Sequence, residues 1–229
     1  MKTLLAWSSG KDSAWTLHVL RTQGADVAAL LTTLNAAVDR VAMHGVRASL
    51  LQAQAESVGV PLWKVPLPWP STNDDYEARM GEACRRAVAE GFQAIAFGDL
   101  FLRDIREYRE RQLAGSGLTP LFPLWERPTD QLARDMIAAG LRARITCVDS
   151  KALDASFAGR EFDRTLLADL PPGADPCGEN GEFHTFAYDG PMFRAPIAIE
   201  AGEVHEYSSF VYRDLWEKAA GPPCLASSL

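Results

Sequence analysis

The chain has 229 residues, 47% of them apolar and 23% charged, and a net charge of −7; a domain of that size buries roughly 70–75% of its unfolded surface and needs no staple. The acidic balance argues against a broad nucleic-acid footprint, which needs a basic face, and the lack of a leader or an apolar run of ~18 residues predicts a cytoplasmic protein with no membrane partner. Cys84, Cys147, Cys177 and Cys224 form no C-x-x-C pair, so a zinc site or a disulfide framework is poorly supported.

In chain order, Thr3–Trp7 reads as a buried strand that runs into Ser8-Ser9-Gly10-Lys11-Asp12-Ser13. From Ala14, the apolar positions Trp15, Leu17, Val19 and Leu20 predict a helix with one buried face. Strand, tight turn and helix N-terminus together make an anion site: free N–H groups point outward and the dipole adds roughly half a positive charge. A Walker A loop is excluded, because it needs two spaced glycines and a hydroxyl directly after the lysine, whereas Asp12 follows Lys11 here.

Val27–Thr33 is a second strand, apolar throughout as in a parallel strand covered on both faces. Residues 35–45 show no period. A helix follows over Val46–Val58, stopped by Gly59; Pro61–Leu67 is a short third strand; Asn73 is placed to cap a helix over Asp74–Glu90; and Gln93–Phe97 is a fourth strand ending in Gly98-Asp99. This alternation predicts an α/β domain with a parallel sheet. Ligands in such sheets bind at the carboxyl ends of strands, so Ser8-Ser9, Thr32-Thr33 and Gly98-Asp99 are expected on one edge.

Leu102–Ala114 reads as a charged, solvated helix, and Leu118–Trp125 is too rich in proline for a central strand. A helix from Thr129 or Asp130 to Ala139, a strand over Leu141–Val148, a helix over Phe157–Leu170 and strands at Glu182–Tyr188 and Ile197–Val204 complete the reading. A boundary near residue 130 divides the chain into 1–130 and a smaller α+β region, 131–229. In Asp175–Thr185 (DPCGENGEFHT), Glu179, Glu182 and His184 are suited to bind an ammonium ion or amine, hold a metal or take up a proton. One histidine and two acids are thin for a metal site.

SSGKDS resembles the S-G-G-x-D-S pyrophosphate loop of the N-type ATP pyrophosphatases, with Ser9 where that family has its first glycine. MHGVR at Met43–Arg47, FGDL at Phe97–Leu100, PLFPLW at Pro120–Trp125 and CGENGEFHT at Cys177–Thr185 follow in order. Together they resemble the diphthine–ammonia ligase family, a branch of the PP-loop ATPases. The resemblance implies an adenine nucleotide alpha hydrolase-like (Rossmann-like, HUP) α/β domain over residues 1–130. Residues 131–229 would then form the smaller C-terminal α+β domain that binds the acceptor.

The resemblance also implies ATP-dependent amidation of a carboxylate, with ATP and Mg2+ bound, ammonia as nitrogen donor, and AMP and pyrophosphate released. In that reading Ser8, Ser9, Gly10, Lys11, Asp12 and Ser13 cradle the phosphates, and Leu31, Thr32 and Thr33 face adenine. His44 and Arg47 would offer a cation to the α-phosphate, while Gly98 and Asp99 end the fourth strand beside it. Asp12 and Asp99 would hold magnesium. Lys11, Asp12, Asp99, Glu179 and Glu182 would carry the chemistry, the two glutamates recruiting ammonium and removing its proton.

Lys11 is expected to act on the departing pyrophosphate and not on the fold. The acceptor is a protein side chain or a small molecule. The Arg-rich, Lys-poor composition (18 against 5) fits a GC-rich genome, and a bacterial member would use an acceptor other than diphthine. A PP-loop tRNA-modifying enzyme, a nucleotide-binding protein without turnover, and a homo-oligomeric state stay open.

Overall fold

The computed structural model describes residues 1–41 and 43–218; Cys224 lies outside the described residues. The first half alternates as predicted: β1 (Lys2–Ala6), α1 (Lys11–Thr22), β2 (Asp26–Asn35), β3 (Arg40–Val41), α2 (Ala48–Val58), β4 (Leu62–Leu67), α3 (Asn73–Ala89), β5 (Ala94–Ala96), α4 (Arg103–Leu113) and β6 (Thr119–Leu121). The parallel strands lie in the order β4-β2-β1-β5-β6. The chain therefore builds outward from β1 to β4, then returns to the other side of β1, and the order reverses between β1 and β5. β6 takes the edge, where Pro120 costs no ladder hydrogen bond.

The second half carries α5 (Thr129–Ala138), β7 (Arg142–Asp149), α6 (Arg164–Asp169), β8 (Phe183–Asp189), β9 (Ile199–Tyr207) and β10 (Phe210–Glu217). Its antiparallel sheet has the order β8-β7-β10-β9. The fold is an α/β PP-loop-type domain followed by a smaller α+β domain.

Both faces of the parallel sheet are covered, as its apolar runs require. Leu4, Leu31 and Ile95 pack on one side with Ala83 and Ala87 of α3. Leu5, Leu30 and Ala96 pack on the other with Leu17 of α1 and Leu50 and Leu51 of α2. That second cluster continues into Ile145, Phe186 and Leu215 of the antiparallel sheet. The two sheets therefore share a core and hold each other in register.

Three expectations are corrected and one strand is added. Residues 35–45 are not shapeless: β3 folds back antiparallel on the end of β2, pairing Leu34 with Val41. The cap of α3 is Thr72, in a capping box with Asp75, and Asn73 is already helical. Residues 157–170 are not one helix. Gly159 (φ +91) turns the chain so that 159–162 runs along β7, with Gly159 N–H on the Ile145 carbonyl (2.9 Å) and Phe162 N–H on the Ala143 carbonyl (2.7 Å); pairing with the sheet outweighs helix propensity. The added strand is β10, for which the sequence carries no expectation; it lies inside the second sheet, between β7 and β9.

Candidate active site

A cavity of about 520 Å³ opens beyond the carboxyl ends of β1, β2 and β5, beside the switch point. Its floor is the loop after β1. Ser9 adopts φ +70, which a side chain resists. This turns its carbonyl inward, where it accepts from Gln54 Nε2 (2.9 Å) and from the Ala187 N–H (2.9 Å). Gln54, fully buried, also accepts from Trp7 Nε1 (2.8 Å) and donates to the Ala187 carbonyl (2.5 Å). The end of β1, helix α2 and strand β8 thus fix the loop from behind.

Two glycines allow close approach. A Cβ on Gly10 would lie 3.0 Å from His44 Cε1, and one on Gly98 would lie 3.2 Å from the Asp12 carbonyl carbon. Thr185 Oγ1 accepts from the N–H of Lys11 (3.0 Å), bringing the second domain onto the helix N-terminus.

Lys11 is buried. Its Nζ donates to Asp12 Oδ2 (2.8 Å) and to the Cys177 carbonyl, between the rings of Phe162 and Phe183. Burial alone would lower the ammonium's pKa, but the facing Asp12 and Asp175 hold it above its ordinary value, so it stays a cation. Burial pushes Asp12 upward against the pull of Lys11, and its Oδ1 is buried with no hydrogen-bond partner among the described residues. Across the cavity, Glu179 is raised to about 7 by burial, with the acids Asp12 and Asp99 adding to it, although its Oε1 accepts from the Leu100 N–H (2.7 Å). Glu179 therefore titrates near neutrality, the range suited to a general base.

Of the residues expected in the site, Ser8, Lys11, Asp12, Ser13, Leu31, Thr32, Thr33, His44, Gly98, Asp99 and Glu179 line this one cavity. Ser9 and Gly10 stand behind it as shaping residues. Arg47 does not reach it. Its guanidinium is bonded to Asp214 of β10 (Nη2 to Oδ2 2.5 Å, Nε to Oδ1 3.2 Å), which Arg40 shares. Burial raises Asp214, but the two guanidiniums outweigh it and bring it down to about 2.

Glu182 is also outside the wall. It is buried, and its Oε1 accepts from the Asp175 N–H (2.9 Å) and from Asn180 Nδ2 (3.1 Å), holding the loop before β8. His44 lines the cavity without a charge: burial, with His184 nearby, lowers it to about 3. Its Nδ1 lies 3.2 Å from the Thr185 carbonyl, a contact that requires the Nδ1–H tautomer. His184, lowered to about 4 by burial and Lys11, lies beside it with the ring centroids 4.6 Å apart and the planes tilted by 36°.

Sequence reasoning missed Arg109, read as part of a solvated helix. It clamps Asp99 through Nε (2.5 Å) and Nη2 (3.1 Å) and lines the cavity. It also missed Gln54, although a polar residue on the apolar stripe of α2, between Leu50-Leu51 and Val58, was a readable signal. Among the described residues no group of three or more His, Cys, Asp or Glu is gathered for a metal. With Asp99 occupied by Arg109, the unpartnered Asp12 Oδ1 is the feature that fits a divalent cation. Magnesium needs only one or two carboxylates beside phosphates.

A phosphate-type loop at the switch point of this parallel sheet, backed by an antiparallel domain, defines a PP-loop protein. The family models for the diphthamide synthase N-terminal domain and the diphthamide synthase C-terminal domain match residues 1–120 and 128–220 respectively. The chain belongs to the diphthamide synthase family. It is 27% identical over 233 residues to a diphthine–ammonia ligase of Homo sapiens, covering 91% of this chain and 86% of that protein. It is 28% identical to one of Danio rerio, covering 89% of each. A third relative of that name, from Schizosaccharomyces pombe, is 26% identical over 91% of this chain, which spans 38% of that longer protein. These relatives are named as ligases, enzymes that form a C–N bond.

Proposed function

We infer that the chain is an ATP-dependent carboxylate–ammonia ligase that works by adenylation. The observation that carries the reading is the meeting, in one cavity, of a buried lysine at a helix N-terminus and a carboxyl group that titrates near neutrality on the opposite wall. A carboxylate resists attack because its oxide is a poor leaving group. Its oxygen attacks the α-phosphorus of ATP, the bond to the bridging oxygen breaks, and pyrophosphate departs with that electron pair. Ser8, Ser13 and Lys11 bind the departing phosphates, a stabilisation aimed at charge that develops in the transition state.

Ammonia's lone pair then attacks the acyl carbon and AMP leaves. Glu179 takes the proton from ammonium, releases it to solvent, and as a carboxylate again takes the proton that the attacking nitrogen loses. The neutral His44 and His184 supply hydrogen-bonding groups and no competing charge. A bound Mg2+ would neutralise phosphate charge, with Asp12 holding it. The strand ends at Leu31–Thr33 and Gly98 position the nucleotide, and such positioning is worth roughly 7–11 kcal/mol at best. Residues 1–130 serve the nucleotide in this reading and 131–229 the acceptor.

Radiolabelled ATP incubated with magnesium, ammonium and a panel of carboxylates tests it. AMP and pyrophosphate are expected. ADP and phosphate would overturn the reading, and tight nucleotide binding with no product would favour a sensor.

A further inference from the structure

Glu179 is held from across the cavity. Its Oε1 accepts from the N–H of Leu100 (2.7 Å) and, more loosely, from that of Phe101 (3.4 Å). Both belong to the segment that joins β5 to α4. Backbone groups of the first domain therefore set where this carboxylate of the second domain points.

That segment is pinned at two points. Leu100 is fully buried, and its carbonyl accepts from the Glu126 N–H (2.7 Å). Asp99, the residue before it, gives both carboxylate oxygens to Arg109 (2.5 and 3.1 Å). The guanidinium also lies 4.4 Å from the centroid of the Phe97 ring, so its planar fork is fixed against a ring and a carboxylate together.

Arg109 differs from its neighbours on α4. Arg106 and Arg111 pair with glutamates one turn away on the helix itself. Arg109 instead reaches back ten positions, out of the helix. It shares a helix face with Leu102 and Ile105, and all three line the cavity.

A free aspartate tends to bond the backbone N–H two residues on. For Asp99 that N–H is Phe101's, which Glu179 uses. A freed Asp99 would also stand as a bare anion on the wall that carries Asp12 and Glu179. A bidentate guanidinium occupies both oxygens and offsets the charge.

We propose that Arg109 is a positioning residue for the ammonia step: by occupying both oxygens of Asp99 it keeps the Leu100 and Phe101 N–H groups on Glu179. The inference rests on the ligase reading above and deepens it. Adenylation does not use the base, so the acyl-adenylate still forms without Arg109. Ammonium then keeps its proton, and water attacks the acyl carbon in its place. A new C–O bond forms, AMP leaves with the electron pair of the old one, the protons pass to solvent, and the carboxylate is regenerated.

Two measurements on the full chain test this. The first is amide hydrogen exchange read by NMR, with no substrate present. Arg109→Ala should speed exchange at Leu100 and Phe101 at least tenfold and leave Leu4 and Leu5 of β1 unchanged. Adding Glu179→Ala should speed it no further, because both changes remove the same bond. Unchanged exchange at Leu100 and Phe101, or effects of the two substitutions that multiply, overturns the proposal.

The second is the amide formed per AMP released, with ATP, magnesium, ammonium and the carboxylate of the panel above that releases most AMP. Arg109→Ala should lower this ratio at least fivefold. Millimolar guanidinium should restore it, and Arg109→Lys should restore it in part. Amide and AMP that fall together would make Arg109 a brace of the fold or a nucleotide contact, and overturn the proposal. A parent that releases no AMP overturns the ligase reading, and the exchange measurement still decides whether Arg109 positions Glu179.

Discussion

The loop after β1 and the loop before β8 face each other across one cavity and are held in opposite ways. Ser8–Ser13 depends on the rest of the molecule: Gln54 and Ala187 grip the Ser9 carbonyl, and Thr185 caps Lys11. Asp175–Glu182 holds itself, with Asp175 Oδ2 accepting from the N–H groups of Cys177 (3.1 Å) and Glu179 (2.9 Å) and Glu182 Oε1 returning to the Asp175 N–H. The first is an anion cradle whose shape must be imposed, because one of its residues sits in a disfavoured conformation. The second is a compact acidic turn that keeps Glu179 partly buried and therefore able to hold a proton near neutrality. Lys11 joins them through the Cys177 carbonyl.

Removing that joint should have the largest effect. Lys11→Met is expected to lower AMP formation about 10³-fold, in line with the loss of a transition-state donor. It should also destabilise the fold by about 3 kcal/mol, because Asp12 and the Cys177 carbonyl lose a buried cation. This departs from the expectation that Lys11 leaves the fold untouched; the sequence could place a lysine at a helix start but not show that its ammonium is buried against the other domain. Product analysis and a thermal melt check the two halves. An unchanged melting temperature would mean that the two loops are independent.

Glu179→Gln sharpens the comparison from the acidic side. The amide keeps an acceptor for the Leu100 N–H, so the turn should survive while amide formation falls about 10²-fold. Carboxylate-dependent pyrophosphate exchange should be unchanged. The base must be ionised to act, and its pKa is raised to about 7. Amide formation at fixed free ammonia should therefore fall as pH drops through about 7, and the Gln variant should lose that inflection. A variant that retains it would exclude Glu179 as the titrating group.

Gln54→Leu breaks the imposed loop from behind. It takes the side-chain partner from Trp7 Nε1 and the Ala187 carbonyl and leaves the Ser9 carbonyl held by the Ala187 N–H alone, at a cost of roughly 2 kcal/mol. Urea unfolding should show it, together with weaker ATP binding. Loss of stability with unaltered ATP affinity would show that the loop keeps its shape without this clamp.

What the chain disclosed in advance follows from range. Local periodicity placed β1, β2, β4 and β5 and the helices between them, and the polar strand ends pointed to the cavity. Side chains whose roles depend on distant partners stayed hidden. Arg47 was read toward the α-phosphate but is held by Asp214, 167 positions away. Arg109 was read as solvated but clamps Asp99. Glu182 looked like a second functional acid and is instead a strut. Sheet pairing likewise turned 159–162 into an extended segment and made β10 central, neither of which local pattern encodes.

Ser9 gives the smallest effect and the most direct test of imposed against self-made shape. Its departure from the family's glycine was visible in the sequence; the reason glycine suits the position is the φ of +70. A left-handed L-residue costs roughly 1–2 kcal/mol, and the Ser9 hydroxyl is buried with no partner among the described residues, a further penalty. Glycine removes both but adds unfolded-chain entropy worth ~0.4–1 kcal/mol. The balance favours Ser9→Gly by about 1 kcal/mol, a rise in melting temperature of roughly 2–4 °C for a domain of this size. AMP formation should be unchanged, because the serine side chain points away from the cavity. A lower melting temperature would show that the clamp by Gln54 and β8 fully absorbs the strain, and a collapse of activity would give the hydroxyl a part in the chemistry.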